Sequence, residues 1–155
     1  MDLEGEGRGA EVGTHAERAA ASPTASEHGI LDTSVVIDLE HIDPAQLPDQ
    51  TFITAITLAE LAAGPHTAVD GGERARRQER LLWATMTWDP LPFDGDAARV
   101  YGTLVAAVRA SGRQSRSRVV DLLIAAIAGS RGLPLFTRNP ADFRGLDGVV
   151  TVVAV

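Results

Sequence analysis

Residues 119–130, VVDLLIAAIAGS, are apolar almost all round a helix yet carry a carboxylate, Asp121, near their start. A helix with no polar face has to be covered on every side, which puts it in the centre of a domain. The run is well short of the roughly 20 apolar residues that span a bilayer, so its cover must be protein. Residues 149–155 are nearly continuous valine, the pattern of a strand covered on both faces. Around these two segments, predicted strands and helices alternate. Residues 29–32 and 52–54 read as short strands, 33–40 as a brief helix capped by Thr33 or Ser34, and 56–63 as a helix stopped by Gly64-Pro65. Residues 71–86 read as an arginine-rich helix with Ala75, Leu81, Leu82 and Met86 on its inner face. Pro90 and Pro92 make 88–93 an edge strand or extended connection. Residues 94–110 have the spacing of an amphipathic helix ended by Ser111-Gly112, and 133–137 read as a further strand. Such alternation predicts an α/β domain with a mostly parallel sheet.

The 155 residues suit one domain, placed at 29–155. Residues 1–28 hold only Leu3 and Val12 as larger aliphatics and are expected to form a tail, with a short Ala-rich helix possible around 15–21. No hydrophobic stretch follows a basic start, so no signal peptide is expected and the chain reads as soluble and cytoplasmic. The absence of cysteine excludes disulfides and thiolate zinc sites. All 14 basic residues are arginine, which excludes any mechanism that needs lysine. A net charge of −7 argues against a protein that coats nucleic acid, but a carboxylate cluster that binds cations is itself acidic.

Three acids stand in apolar surroundings: Asp32 between Gly29-Ile30-Leu31 and Val35-Val36-Ile37, Glu60 in Ile56-Thr57-Leu58-Ala59-Glu60-Leu61, and Asp121. Burying a carboxylate is costly unless it is paired, hydrogen-bonded, protonated or bound to a cation. Taken singly, each has a plain reading: Asp32 as a helix cap, Asp121 as a first-turn charge favoured by the helix dipole, Glu60 as a surface residue. Taken together, they suggest one pocket at the carboxyl edge of a parallel sheet, where ligands bind. Hard oxygen ligands favour magnesium or manganese.

The segments Ile30-Leu31-Asp32-Thr33-Ser34, Thr57-Leu58-Ala59-Glu60-Leu61, Val120-Asp121-Leu122-Leu123-Ile124-Ala125-Ala126 and Thr137-Arg138-Asn139-Pro140-Ala141-Asp142-Phe143 occur in the order found in PIN-domain proteins. The chain resembles the VapC-type toxins of VapBC toxin–antitoxin modules over residues 29–155. The resemblance implies a Rossmann-like three-layer α/β/α fold with a five-stranded, mostly parallel sheet. It implies magnesium- or manganese-dependent endoribonuclease activity on RNA such as tRNA or rRNA, an antitoxin partner that covers the active site, and a homodimer. Asp32, Glu60 and Asp121 carry over as the acidic metal-site residues, with Thr33, Ser34 and Thr137 supporting them through their hydroxyls. The fourth acidic position departs from the pattern. Asn139 stands where many relatives have aspartate, and Asp142 is the alternative ligand.

Arg113, Arg116 and Arg118 form a basic loop ahead of Asp121, read either as a solubilising loop or as an RNA phosphate clamp. Arginines 74, 76, 77 and 80 read as a solvated face or an antitoxin contact. Leu61, Leu81 and Trp83 read as antitoxin contacts or as core. A phosphoacceptor receiver domain is disfavoured by the missing lysine. A haloacid-dehalogenase-like phosphatase is disfavoured by Ser34, and a zinc hydrolase by four histidines without ligand spacing. The non-enzymatic alternative is an inactive PIN fold that only binds RNA or protein.

Overall fold

The structure is a computed structural model, and it describes residues 26–114 and 118–155. Most of the expected tail, with its possible helix at 15–21, lies outside the described residues, as does Arg116. The described elements run β1 (His28–Leu31), α1 (Thr33–Asp38), β2 (Gln50–Phe52), α2 (Ala55–Ala63), α3 (Gly71–Thr87), α4 (Gly95–Ala110), α5 (Val119–Arg131), β3 (Leu135–Thr137) and β4 (Val152–Ala154). All strand pairs are parallel, in the order β2-β1-β3-β4.

Alternate residues of each strand point to opposite faces, and the core divides accordingly. Ile30 and Leu135 join Leu104, Val108, Leu122, Ile124 and Ile127 on the face covered by α4 and α5. Leu31 and Phe136 join Val35, Val36, Ile53, Leu61 and Ala84 on the face covered by α1, α2 and α3. The result is an α/β/α sandwich. In α5, Leu122 and Ile124 through Ala128 are buried between sheet and α4, as the all-round apolar run requires, while Val119 and Val120 at its start are exposed. Gly132, at φ 64° in the left-handed region, ends the helix. Gly29 is needed in β1 because a Cβ there would lie 2.4 Å from the Phe136 ring.

Several expectations are corrected. Four strands, not five, pair among the described residues. Leu91 sits where a further strand would, exchanging bonds with Ala55 N (2.8 Å) and Ile53 O (2.9 Å) in one parallel bridge beside Thr54. Its neighbours Pro90 and Pro92 have no N–H to extend the ladder. The valine-rich strand is an edge, so Val152 and Val153 are only half-buried, each packing against one of the two cores. On α3 the inner face is Leu81 and Ala84. Ala75, Leu82 and Met86 are exposed, because α3 is covered on one side only. The cap of α1 is Asp32 rather than Thr33 or Ser34.

Candidate active site

β1 and β3 are the central strands, and their carboxyl ends place Asp32 beside Thr137. The Asp32 amide bonds Phe136 O at 2.9 Å, which sets the two strand ends level. Asp32 is only 6% exposed, but its carboxylate is well supplied with donors. Oδ1 accepts from the Thr33 amide at 2.9 Å. Oδ2 accepts from the Ser34 and Thr137 hydroxyls, each at 2.8 Å. The hydroxyls are themselves held, Ser34 Oγ by the Arg138 amide at 3.2 Å and Thr137 Oγ1 by the Asn139 amide at 3.0 Å. Asp32 is therefore both helix cap and site residue. Charge-assisted bonds of this kind offset its desolvation.

Thr33 turns its own hydroxyl to Glu60, linking the first acid to the second. Glu60 lies on α2 one turn after Thr57, whose hydroxyl is 3.3 Å from that of Thr33 and 3.2 Å from that of Thr54. Thr54 in turn caps α2 by accepting from the Thr57 amide at 3.0 Å. Glu60 is exposed, as its plain surface reading had it, yet faces the same cleft. Asp121 is half-buried in the first turn of α5, and its carboxyl is pushed up to about 6. Burial is the main cause, followed by the negative charges of Asp142, Asp32 and Glu60, with Arg118 working against them. Three other acids thus reach Asp121 across the cleft. Asp142 is half-buried in a short 3-10 turn (Pro140–Phe143), while Asn139 contributes backbone contacts and leaves its side chain exposed. Arg118 donates to Ala141 O at 3.1 Å, which holds the Asp142 turn against the start of α5. Arg113, at the far end of that loop, is half-buried.

Comparison with known proteins matches the family described as PIN domain over residues 29–149. The chain belongs to the PIN-domain family. Among curated relatives, Ribonuclease VapC5 of Mycobacterium tuberculosis is 42% identical over 127 residues, covering 80% of this chain and 91% of that one. VapC ribonuclease Y4jK of Sinorhizobium fredii is 33% identical over 132 residues, covering 76% and 93%. Among solved structures, a member of the VapBC family of toxin–antitoxin systems, VapBC-5 from Mycobacterium tuberculosis, superposes with a TM-score of 0.72 at 40% identity. It covers 83% of this chain and 98% of that one. The PIN domain described here is accordingly a VapC-type ribonuclease.

The donor set of this PIN domain suits a hard divalent cation: Asp32, Glu60, Asp121 and Asp142 offer carboxylate oxygens, and Thr33, Ser34 and Thr137 offer hydroxyls. The Asp121 carboxyl is raised first by burial and then by negative charge that Arg118 only partly offsets. Among the described residues, no three acids or histidines already stand close enough to enclose one ion. Glu60, exposed on α2, accepts instead from the Thr33 hydroxyl. Sequence reasoning missed Thr54 and Thr57, both fully buried and forming the hydroxyl chain behind Glu60. Their signal was present: Thr54 precedes a helix as a cap should, and Thr57 is three residues before Glu60 on the same face.

From Thr33 and Glu60 a cavity of about 540 Å³ runs along the arginines of α3, Arg76, Arg77 and Arg80. A second, of about 560 Å³, shares Ile37, Arg76 and Arg80 and ends at Trp83. Arg77 is committed to Glu73, Gly64 O and Thr67. Leu61 is buried and Leu81 half-buried in the core, whereas Trp83, 43% exposed, lines the groove. Of the three residues read as contact or core, Trp83 is exposed in the groove, and Leu61, though buried, lines the first cavity.

Proposed function

We propose that this PIN domain is the toxin of a type II toxin–antitoxin pair, a magnesium- or manganese-dependent endoribonuclease acting in the cytoplasm on RNA such as tRNA or rRNA. The observation that carries this reading is the half-buried Asp121, its carboxyl pushed up first by burial and then by the charges of Asp142, Asp32 and Glu60 that reach it across one cleft, a burden a divalent cation relieves. Asp32 and Asp121 would hold the ion, with Glu60 and Asp142 completing its shell or that of a second. When bound, it supplies Lewis acidity to a phosphoryl oxygen and to the attacking water. Thr33, Ser34 and Thr137 fix the orientation of Asp32 and Glu60, so these acids need no reorganisation as charge develops. Asn139 leaves the fourth position uncharged, and Asp142 takes its electrostatic part. Arg118, which acts on Asp121, supplies a phosphate contact there, and Arg113 and Arg116, its neighbours in the basic run of the sequence, are assigned the same role.

The relatives include solved toxin–antitoxin complexes. The groove between α1 and α3, apolar at Ile37 and Trp83 and lined by Arg76 and Arg80, is the surface we assign to a VapB-type antitoxin. Its opening at Glu60 lets such a partner block the site. A homodimer completes the assembly. Purified protein incubated with total RNA and magnesium should yield 5′-phosphate and 3′-hydroxyl ends, with no cleavage in EDTA or by Asp121→Asn. A 2′,3′-cyclic phosphate would refute water attack, and metal-independent binding without cleavage would leave an RNA- or protein-binding module.

A further inference from the structure

The cleft is acidic, yet its substrate is a polyanion, so cations must flank it on more than one side. Arg118 stands on the α5 side, as the sequence anticipated. On the opposite side the chain carries Arg138, immediately after the strand end that supplies Thr137. Its amide bonds Ser34 Oγ at 3.2 Å, the same hydroxyl that donates to Asp32 at 2.8 Å. Its guanidinium lies 3.4 Å from Asp38 Oδ2, at the last turn of α1. Four residues of helix separate Ser34 from Asp38, roughly 6 Å of axial rise, or about one to two nucleotide steps. Asp38 also has His41 Nδ1 at 4.0 Å.

A pair this exposed, 37% for Arg138 and 44% for Asp38, adds little to stability. What it does is restrict a long side chain. One guanidinium nitrogen is turned to Asp38, and among the described residues the other donors of its five have no hydrogen-bond partner, which leaves them for a ligand. We propose that Arg138, oriented by Asp38, is a phosphate-binding residue for the RNA strand on the α1 side of the cleft, one to two nucleotides from the scissile bond. This rests on the ribonuclease reading. Arg138 is a positioning residue: it sets the strand across the acids and takes no part in the bond change.

The test is RNA binding by the full chain carrying Asp121→Asn, which removes cleavage, measured in magnesium by anisotropy of a labelled single-stranded RNA over a range of salt. Adding Arg138→Ala should weaken binding several-fold at low salt and flatten the log–log salt slope by about 0.7, the value of one lost single-strand phosphate contact. Arg138→Lys, which keeps the charge, should restore the slope. A brace between β3 and α1 would instead lower the melting temperature and leave the slope unchanged, and that result overturns the proposal. If Arg138→Ala does not fold, Arg138→Gln keeps a polar, though shorter, side chain while removing the charge, and the same slope decides. Parental protein that neither cuts nor binds RNA overturns the ribonuclease reading, and this proposal with it.

Discussion

Asp32 and Asp121 are held in opposite ways by one cleft. Asp32 is almost fully buried, but an amide and two hydroxyls donate to it, and those hydroxyls are fixed by further amides. Asp121 is less buried, faces three other carboxylates, and has one guanidinium in its favour. Burial alone therefore does not rank the strain on a carboxylate; the balance of donors and neighbouring charge does. Asp32 is finished by the fold itself. Asp121 is left wanting a cation, which makes it the residue through which metal binding and stability are linked.

The largest expected effects come from removing each charge. Asp32→Asn and Asp121→Asn should each lower RNA cleavage by more than the roughly 10–100-fold typical of groups behind a metal ligand. Their metal-free stabilities should move in opposite directions. Asp32→Asn breaks charge-assisted bonds and should cost about 1–3 kcal/mol in urea unfolding at neutral pH. Asp121→Asn relieves repulsion and should be neutral or stabilising. Equal destabilisation of both would end the contrast.

The two acids also differ in how they were legible. Asp32 at a strand end and Asp121 near the start of an apolar helix stood out because each interrupted a run that only burial explains, and parallel topology then carried both to the same edge. Glu60 was harder. It is exposed on α2, and among the described residues its side-chain hydrogen bond comes from the Thr33 hydroxyl, a contact with no period in the sequence. The hydroxyls of Thr54 and Thr57 were passed over because threonine in a strand or helix needs no explanation until its partner is known. Spacing also failed where one-sided cover mattered, as on α3, since Leu82 and Met86 have the apolar character of inner residues but stay exposed among the described residues. The Leu91 bridge shows the same limit for the sheet: Pro90 and Pro92 marked an edge, while how far pairing would extend depended on which neighbour it met.

A middle-sized effect probes the hydroxyl cage. Thr137 is fully buried, donates to Asp32 and accepts from the Asn139 amide. Thr137→Val keeps the shape, leaves buried Asp32 one donor short and takes the acceptor from the Asn139 amide, which should cost about 2 kcal/mol. Ser34→Ala, at a less buried position, should cost less, and both should lower cleavage by misorienting Asp32. If Thr137→Val proved harmless to stability and cleavage, Asp32 would not depend on its donors as argued.

The smallest effect has the most informative sign. The Asp121 carboxyl stands at about 6 in the fold against an ordinary value of 3.8. Between those two values the folded protein retains a proton that the unfolded chain has released. Unfolding is then linked to proton loss, and metal-free stability should fall as pH rises through that window. Two units correspond to roughly 3 kcal/mol at most, and partial exposure screens this to about 1 kcal/mol. Urea unfolding in EDTA from pH 4 to pH 7 should show the decline beyond whatever the other carboxylates contribute, and Asp121→Asn should remove that share. Magnesium, competing with the proton, should stabilise the protein more at pH 7 than at pH 5. A parent and an Asp121→Asn variant with the same pH dependence, or magnesium that stabilises equally at both, would mean that Asp121 is as well satisfied as Asp32 and that its neighbours do not crowd it.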